Sequence, residues 1–520
     1  MKKLRTETER LVEEMQQAAA REDTLRMLTA ADEVLRREPT NADAMFVAGT
    51  AFMTNGHEGV AAIILNSARC HTKDPARLGA IWNNIGYALQ GYQPEEAYRA
   101  LKESLKYGEA PAGTYDNLCN LASQIGRHAE ALQWAEKANG GDPNGPCYNR
   151  AFALLHMGRW EEAWRDYAKS VGTEARPRTE RTYDLPRWDG KKKGRVIIHG
   201  EQGVGDEIMF MSMCPADFDG VIECSPRMEA LFARSFPKAA VYGTLLNNYL
   251  EWPLKERADY HIEMGGLGEF YAQEPFARGG FLAADSARCA AWASWLRYSG
   301  GDQSSFERAG GNRSAPQGGT APGVGATSAG LPRRALDASA NSGLLVGISW
   351  TGGTWTTGRS KRSIPFELIR DKLIAQHPDV TFVCLEYEDR REELADHPQV
   401  LNPHWATKKG ADMDDLAALC SNLDLIITAT NSTVDMAGAL GVPVWALVPH
   451  NPPWRYSEAA GQDQMWFYES VRTFRQDITD DGDWERVMSN VTTALHKLKL
   501  PKPKLQLVNA EPDNDGWRSC

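Results

Sequence analysis

The sequence is short of several things that would settle its class quickly. It holds nine cysteines, Cys70, Cys119, Cys147, Cys214, Cys224, Cys289, Cys384, Cys420 and Cys520, but no CxxC pair. Their scatter marks neither a zinc site nor a disulfide framework and fits a reducing cytoplasm. No run of eighteen apolar residues occurs, so no membrane span is expected. The start, MKKLRTETERLVEEM, is amphipathic and polar and lacks the apolar centre of an export signal. Basic residues are outnumbered, and the formal charge of −11 argues against broad nucleic-acid binding while leaving room for a local basic cleft. Core material, by contrast, is plentiful. Of 520 residues 42% are hydrophobic and sixteen are tryptophan, which suits about three domains at roughly 100–200 residues each.

Residues 1–175 carry an internal repeat. Gly56–Ala61, Gly126–Ala131 and Gly158–Ala163 each set an alanine five residues after a glycine, with Gly91–Ala97 as a six-residue variant, and the alanines recur at 36, 34 and 32 residues. Leu101, Ala135 and Tyr167 follow three of these alanines by four residues, and Pro39, Pro75 and Pro143 close units. The pattern resembles tetratricopeptide repeats: small residues stand where two helices of a hairpin touch, and glycine ends the first helix. Such repeats stack into a superhelix with a concave groove. The alternative is an irregular helical bundle.

The rhythm then changes. After the connector RTYDLPRWDGKKKG, short β-rich runs alternate with helical stretches: RVIIHG, VIECS, AVYGT and DYHIEM. This predicts an α/β domain with a parallel sheet over 176–298. Residues 299–342 are rich in glycine, serine and alanine, which predicts a flexible linker. A second α/β unit is expected over 343–500, from the runs LLVGISW, VTFVCLEY, LDLIITAT and VPVWALV, followed by a tail at 501–520. The fold class expected is therefore α + α/β, a helical repeat superhelix followed by two Rossmann-like halves with a cleft between them.

Two stretches carry the chemistry. HGEQGVGDEIMF, His199 to Phe210, has the strand, glycine turn and helix of a phosphate cradle, with Gly203 and Gly205 in the turn. A cradle wants backbone N–H groups and a lysine, yet this one presents Glu201, Asp206 and Glu207 and no basic residue. In the other half LDLIITATNSTVDMAGALGVPVW runs from strand through the caps Asn431 and Ser432 into a small-residue helix. Free N–H groups at that helix start, with the helix dipole, suit a diphosphate. By itself the segment is equally a well-packed βαβ turn.

In series, RWDG, EQGVGDEI, VGISWTGG, KRSIPFELI, that helix start, PPWRYS, MWFYESVRTFRQ and DGDWERV resemble the bacterial tetratricopeptide-repeat glycosyltransferases. Their catalytic half is similar to the GT-B heptosyltransferases and, more distantly, the O-linked N-acetylglucosamine transferases. The resemblance covers about residues 25–300 and 343–500. It implies a GT-B pair in which the C-terminal half holds a nucleotide-sugar donor and the N-terminal half and repeats hold the acceptor. It makes Asp206 the candidate general base, with Glu201 supporting it or binding acceptor, and places the glycines against substrate; helix capping is the other reading of Asp206. The departing diphosphate would meet the N–H groups around Asn431, Ser432 and Thr433, with charge from Lys361, Arg362 and Arg455. Ser349, Trp350, Gly352 and Gly353 would lie against sugar or phosphate, and Glu386, by analogy with acids at strand ends, against a ribose.

The sequence departs from the family where a histidine is common in the first helical turn and Asp435 stands instead. Asp435 complements the helix dipole, but beside a diphosphate it repels unless it turns away or grips a sugar hydroxyl. The arginine common after the glycine loop is absent from MFMSMCP. No cofactor is expected beyond the nucleotide sugar as co-substrate. No metal is expected either, since the DxD at Asp412-Met413-Asp414 precedes a helix and reads as a cap. The resulting expectation is an inverting, metal-independent glycosyltransferase acting on a protein bound by the repeats, with two alternatives. One is a transferase acting on a glycan or a nucleic-acid base; the other is a non-catalytic scaffold with a degenerate transferase fold.

Overall fold

A computed structural model describes residues 7–21, 23–141, 148–170, 185–200, 202–244, 256–297, 343–353, 358–461, 463–480 and 482–498. The expected linker at 299–342, the tail at 501–520 and Glu201 lie outside the described residues.

The N-terminal part consists of helices α1 (Glu7–Ala20), α2 (Thr24–Arg37), α3 (Ala42–Thr54), α4 (Glu58–Cys70), α5 (Pro75–Leu89), α6 (Pro94–Ser104), α7 (Ala112–Gln124), α8 (His128–Ala138), α9 (Tyr148–His156) and α10 (Trp160–Lys169). Each odd helix packs on the even helix that follows, and α1 touches α3, α3 touches α5 and α7 touches α9, so the odd helices form one layer of a stack. Small residues make this possible: the periodic Ala61, Ala97, Ala131 and Ala163 are fully buried, and two glycines outside the periodic set admit leucines. A Cβ on Gly86 would sit 2.4 Å from Leu101 Cδ2, and one on Gly49 would sit 2.7 Å from Leu65 Cγ, so both hairpins need glycine for their helices to approach. Gly56, Gly126 and Gly158 close α3, α7 and α9 in the left-handed region, at φ 76°, 76° and 73°. Gly91, in the longer variant, is not in that region. Asp23, Asn41 and Asp74 cap α2, α3 and α5 by accepting main-chain N–H groups.

The remainder is built on parallel strands. Strands β1 (Val196–His199), β2 (Val221–Cys224), β3 (Ala240–Gly243) and β4 (Tyr260–Glu263) form a sheet in the order β3-β2-β1-β4. Helix α11 (Val204–Met211) follows β1, α12 (Glu229–Ser235) precedes β3, and α13 (Gly268–Tyr271) follows β4. Next come β5 (Ala277–Arg278) and α14 (Ser286–Arg297), then β6 (Leu345–Ser349), β7 (Thr381–Cys384), β8 (Val400–Leu401), β9 (Leu425–Ala429), β10 (Val444–Val448), β11 (Phe467–Tyr468) and β12 (Val471–Arg475). The second sheet has the order β12-β10-β9-β6-β7-β8, and every pairing in both sheets is parallel. Strand order reverses between β1 and β4 in the first sheet and between β6 and β9 in the second. Those reversals, at the carboxyl ends of the strands, are where open parallel sheets form crevices.

The halves are joined by more than chain connectivity. Strand β5 of the first pairs in parallel with β11 of the second. The acidic run before the helix Met413–Cys420 does cap it, Asp412 accepting from Asp414 N at 3.0 Å, but it also binds arginines of the first half. Arg288 reaches Asp412 at 2.8 Å and Asp415 at 2.9 Å, and Arg234 grips Asp414.

Helix α10 belongs to the repeats by sequence and to the junction by packing. The Trp160 ring lies 5.3 Å from Phe467 in a stacked pair, and meets Trp466, Trp454 and Phe276 edge-on. Trp164 packs on Phe210 and Trp454, and Gly268 lies so close that a Cβ there would be 2.3 Å from the Trp164 ring. One buried apolar cluster thus runs through α9, α10 and both α/β halves.

Candidate active site

The glycine loop and the capped helix, 230 residues apart in sequence, meet. Gly203 is the N-cap of α11 and Asp206 lies in its first turn. A Cβ on Gly205 would approach Asp435 Oδ2 at 3.1 Å and Ser432 Cβ at 3.2 Å. The backbone that Gly205 admits is therefore that of the helix Ser432–Ala439, whose N-terminal turn faces that of α11. Two positive dipole ends converge here, and carboxylates from each first turn answer them.

Arg455, in the short turn Trp454–Tyr456, lies between those carboxylates. It pairs with Asp206 through Nη2 and donates from Nη1 to Asp435 Oδ2 at 3.2 Å. Burial alone would pull the guanidinium down, but Asp206 and Asp435 more than offset this and hold it above its ordinary value. Asp435 is 2% exposed, and burial pushes its carboxyl up to about 7 against the pull of Arg455, with Asp206 adding to the rise. Tyr468 donates its hydroxyl to Asp435 Oδ1 at 3.5 Å, and burial, then Asp435, raises that phenol. The Nε–H of Arg455 finds no acceptor among the described residues although it is buried.

Arg362 approaches from the other side. It donates from Nε to Thr430 Oγ1 at 3.0 Å and from Nη2 to the Thr430 carbonyl, and burial lowers its guanidinium. Gly352 lets it pass, since a Cβ there would lie 2.5 Å from the Arg362 carbonyl oxygen. Asp206, Asp435, Arg455 and Arg362 form one charged group at the carboxyl end of β9.

The other expected donor-side residues divide differently. Asn431 accepts from Thr433 N at 2.9 Å as an N-cap, and its amide donates to Ser349 Oγ and the Thr351 carbonyl, both at 3.0 Å. Glu386 is fully buried and accepts through Oε1 from Ser349 Oγ at 2.9 Å, Trp350 N at 2.6 Å and Thr351 N at 2.8 Å. Expected against a ribose, it holds the loop after β6 instead. Trp350 is buried against Phe366, with Arg390 over its ring, rather than lining an open surface. Lys361, expected at the diphosphate, reaches Glu95 of α6 at 3.4 Å and ties the second half to the repeats.

No protein-family model matches the chain. Protein FlbA of Caulobacter vibrioides (strain ATCC 19089 / CIP 103742 / CB 15) is 28% identical over 450 residues, a match covering 80% of this chain. That match spans 66% of FlbA, just under two thirds of its length. Among solved structures, MamA is 19% identical, covering 34% of this chain and 98% of its own at a TM-score of 0.29. YrrB, described as a TPR protein with an unusual peptide-binding site, is 18% identical over 32% of this chain and 85% of its own at a TM-score of 0.28. An O-GlcNAc transferase mutant of Thermobaculum terrenum is 14% identical, covering 95% of this chain and 92% of its own at a TM-score of 0.32.

In the sequence Asp206, Asp435 and Arg455 stand out separately, with no sign that they are partners. A further group, His199, His261 and Glu263, has ligand atoms that all lie within 4.8 Å of one another. A signal was available: in DYHIEM, alternation puts His261 and Glu263 on one face of β4, and His199 ends the neighbouring strand.

Proposed function

We propose that the chain is a glycosyltransferase of the GT-B kind, inverting and metal-independent in its transfer step, that moves a sugar from a nucleotide sugar to a hydroxyl of a protein bound by the helical repeats. The observation that carries this is the meeting of Asp206 and Arg455 where the first turns of α11 and the helix Ser432–Ala439 converge. A carboxylate able to take a proton and a buried guanidinium able to take phosphate charge stand side by side, between the carboxyl ends of two parallel sheets.

In the step envisaged, the acceptor oxygen attacks the anomeric carbon from the side opposite the diphosphate while Asp206 takes its proton. The bond from that carbon to the diphosphate oxygen breaks, and the leaving nucleoside diphosphate keeps the electron pair. Arg455, whose Nε–H has no acceptor among the described residues, and Arg362 stabilise the new charge together with the N–H groups of the helix start. Donor entry requires Arg455 to exchange a carboxylate for phosphate oxygens. Asp435, titrating near neutrality, can give up its charge as the phosphate arrives. The stacked layer of odd helices, linked by Asn84 donating to Thr50 and Thr114 to Asn83, offers polar side chains suited to an extended peptide.

A panel of nucleotide sugars scored by thermal shift tests this reading, because donor binding is visible without the acceptor. Stabilisation by at least one donor is expected, lost in Arg455→Ala. A second reading, a scaffold without catalysis, is favoured by one specific contact: Gly205 already packs on Ser432 and Asp435, so the chain itself covers that helix start. A flat response across the whole panel would select the scaffold.

A further inference from the structure

The first sheet has its own switch point, between β1 and β4, and a cluster of donors stands there. His199 ends β1 and lies directly across the parallel ladder from Glu263, the last residue of β4. His261 precedes Glu263 by two residues and so shares its face. Topology alone therefore places two imidazoles and a carboxylate on one face at the carboxyl edge of the sheet, where such sheets take their ligands. His199 and Glu263 are buried, at 5% and 4% exposure, and His261 is half-buried.

The spacing carries the chemistry further. His199 Nε2 and His261 Nδ1 are 3.4 Å apart, longer than a well-made N–H hydrogen bond of about 2.9–3.0 Å. Two imidazole nitrogens at about 2.0–2.1 Å from one tetrahedral ion would be separated by about 3.3 Å. The carboxylate is already oriented. Arg187 donates from Nε to Glu263 Oε2 at 3.1 Å and from Nη1 to Glu269 Oε2 at 3.0 Å, engaging one Glu263 oxygen and leaving the carboxylate a second. Arg187 is itself fixed by a bridge to His261 along the sheet edge, with Trp188 N–H donating to the His261 carbonyl at 2.8 Å. The RWDG motif thereby supports the cluster, as outer partners fix ligands in metal sites.

We propose that His199, His261 and Glu263 form a binding site for a divalent transition-metal ion of the zinc class, held by two nitrogens and one carboxylate oxygen. Three protein donors leave one tetrahedral position for water or a ligand oxygen. Zinc rather than calcium or magnesium follows from the two imidazoles, since the harder cations take oxygen shells. The site shares no residue with the Asp206–Arg455 group and depends on no reading of that group's chemistry.

The test uses the full chain, stripped with chelator, equilibrated with Zn²⁺ or Co²⁺, desalted and assayed for metal per chain. About one equivalent should remain, and the Co²⁺ form should show the visible absorption of a low-coordinate, nitrogen-ligated ion. His261→Gln and Glu263→Gln should each weaken retention roughly tenfold or more. Zn²⁺ should raise the melting temperature of the parent and not of His261→Gln. If either variant fails to fold, the parent's Co²⁺ spectrum decides alone. Two results would overturn the proposal: a parent that retains no metal, which leaves only a histidine pair, or a folded His261→Gln that retains as much as the parent, which assigns the metal to cysteines or other surface groups.

Discussion

Asp206 is the residue at which helix-dipole compensation and proton transfer overlap. It stands in the first turn of α11, where any carboxylate would be welcome, so dipole compensation and proton transfer are separable only by substitution. Asp206→Asn keeps the side chain's size and acceptor oxygen and removes its basicity. Transfer should fall about 10²–10⁴-fold while donor affinity holds or improves, because Arg455 loses a competing anion. Rates within a few-fold of the parent, measured with the donor found by thermal shift, would take Asp206 out of the mechanism. Asp435 yields a different expectation. Its carboxyl rises from its ordinary 3.8 to about 7 in the folded chain, so between these values the folded state binds the extra proton. Its contribution to stability is fully present below the unfolded value and is lost as pH rises through about 7. Parent and Asp435→Asn should therefore differ in the slope of melting temperature against pH over that window, the variant being flatter. Equal slopes would show that Asp435 stays ionised.

At the scale of elements, the sequence announces what is periodic and hides what is paired at a distance. Glycine–alanine spacing marks the helical hairpins because helix ends and buried small residues have local signatures: Gly56, Gly126 and Gly158 hold positive φ and Ala61, Ala97, Ala131 and Ala163 are fully buried, whereas Gly86, which admits Leu101, lies outside the spacing. Strands β1–β4, β6, β7, β9 and β10 sit inside the β-rich runs that foretell them; β9 and β10, buried throughout, read as nearly continuous hydrophobic stretches, whereas β4 alternates. Strands β5, β8 and β11 are two residues each, too short for any pattern, and β12 interrupts its apolar residues with Arg472 and Arg475 as a sheet edge. The site follows the same division. Asn431 as a cap is legible because a cap is a local device. Arg455 with Asp206, or Lys361 with Glu95, joins residues 249 and 266 positions apart, and no spacing rule reaches that far. The element that departs most from its sequence affiliation is α10. Trp160→Ala should cost about 3–5 kcal/mol, the range for a large aromatic removed from a core, and chemical denaturation should show it. If Trp160 served only the repeats, that loss would be confined to their unfolding and the α/β transition would stay put.

For the whole molecule, division of labour between repeats and sheets predicts how the chain can be cut. A chain beginning near Asn144 keeps α9 and α10 and should fold, bind the nucleotide and lose most transfer to a protein acceptor, because α1–α8 no longer raise the acceptor's local concentration. One beginning near Thr179 strips Trp160 and Trp164 from the shared core and should be insoluble. Soluble, donor-binding protein from the shorter chain would show that the junction closes without α10. Full acceptor activity from the longer one would remove the repeats from recruitment.

The pairing of β5 with β11 has a mechanical consequence. Phe467 N–H donates to the Phe276 carbonyl at 2.8 Å and Glu469 N–H to that of Arg278 at 3.1 Å, so main chain is laced to main chain across the boundary between the sheets. Phe467 holds φ 79°, a cramped posture for a side chain of its size, kept in place by the stacked Trp160. The lacing is one of several fastenings, with the Phe281 and Leu282 N–H groups donating to the Ala439 carbonyl at 2.7 and 2.9 Å and the Arg288 and Arg234 pairs holding the acidic run, so the halves do not move as free bodies. Any widening between Gly205 and Ser432 must therefore strain these fastenings together. Amide exchange should accordingly be slow at Phe467 and Glu469, where main chain bonds main chain, and faster in the facing first turns around Gly205 and Ser432, a difference that a bound donor would reduce.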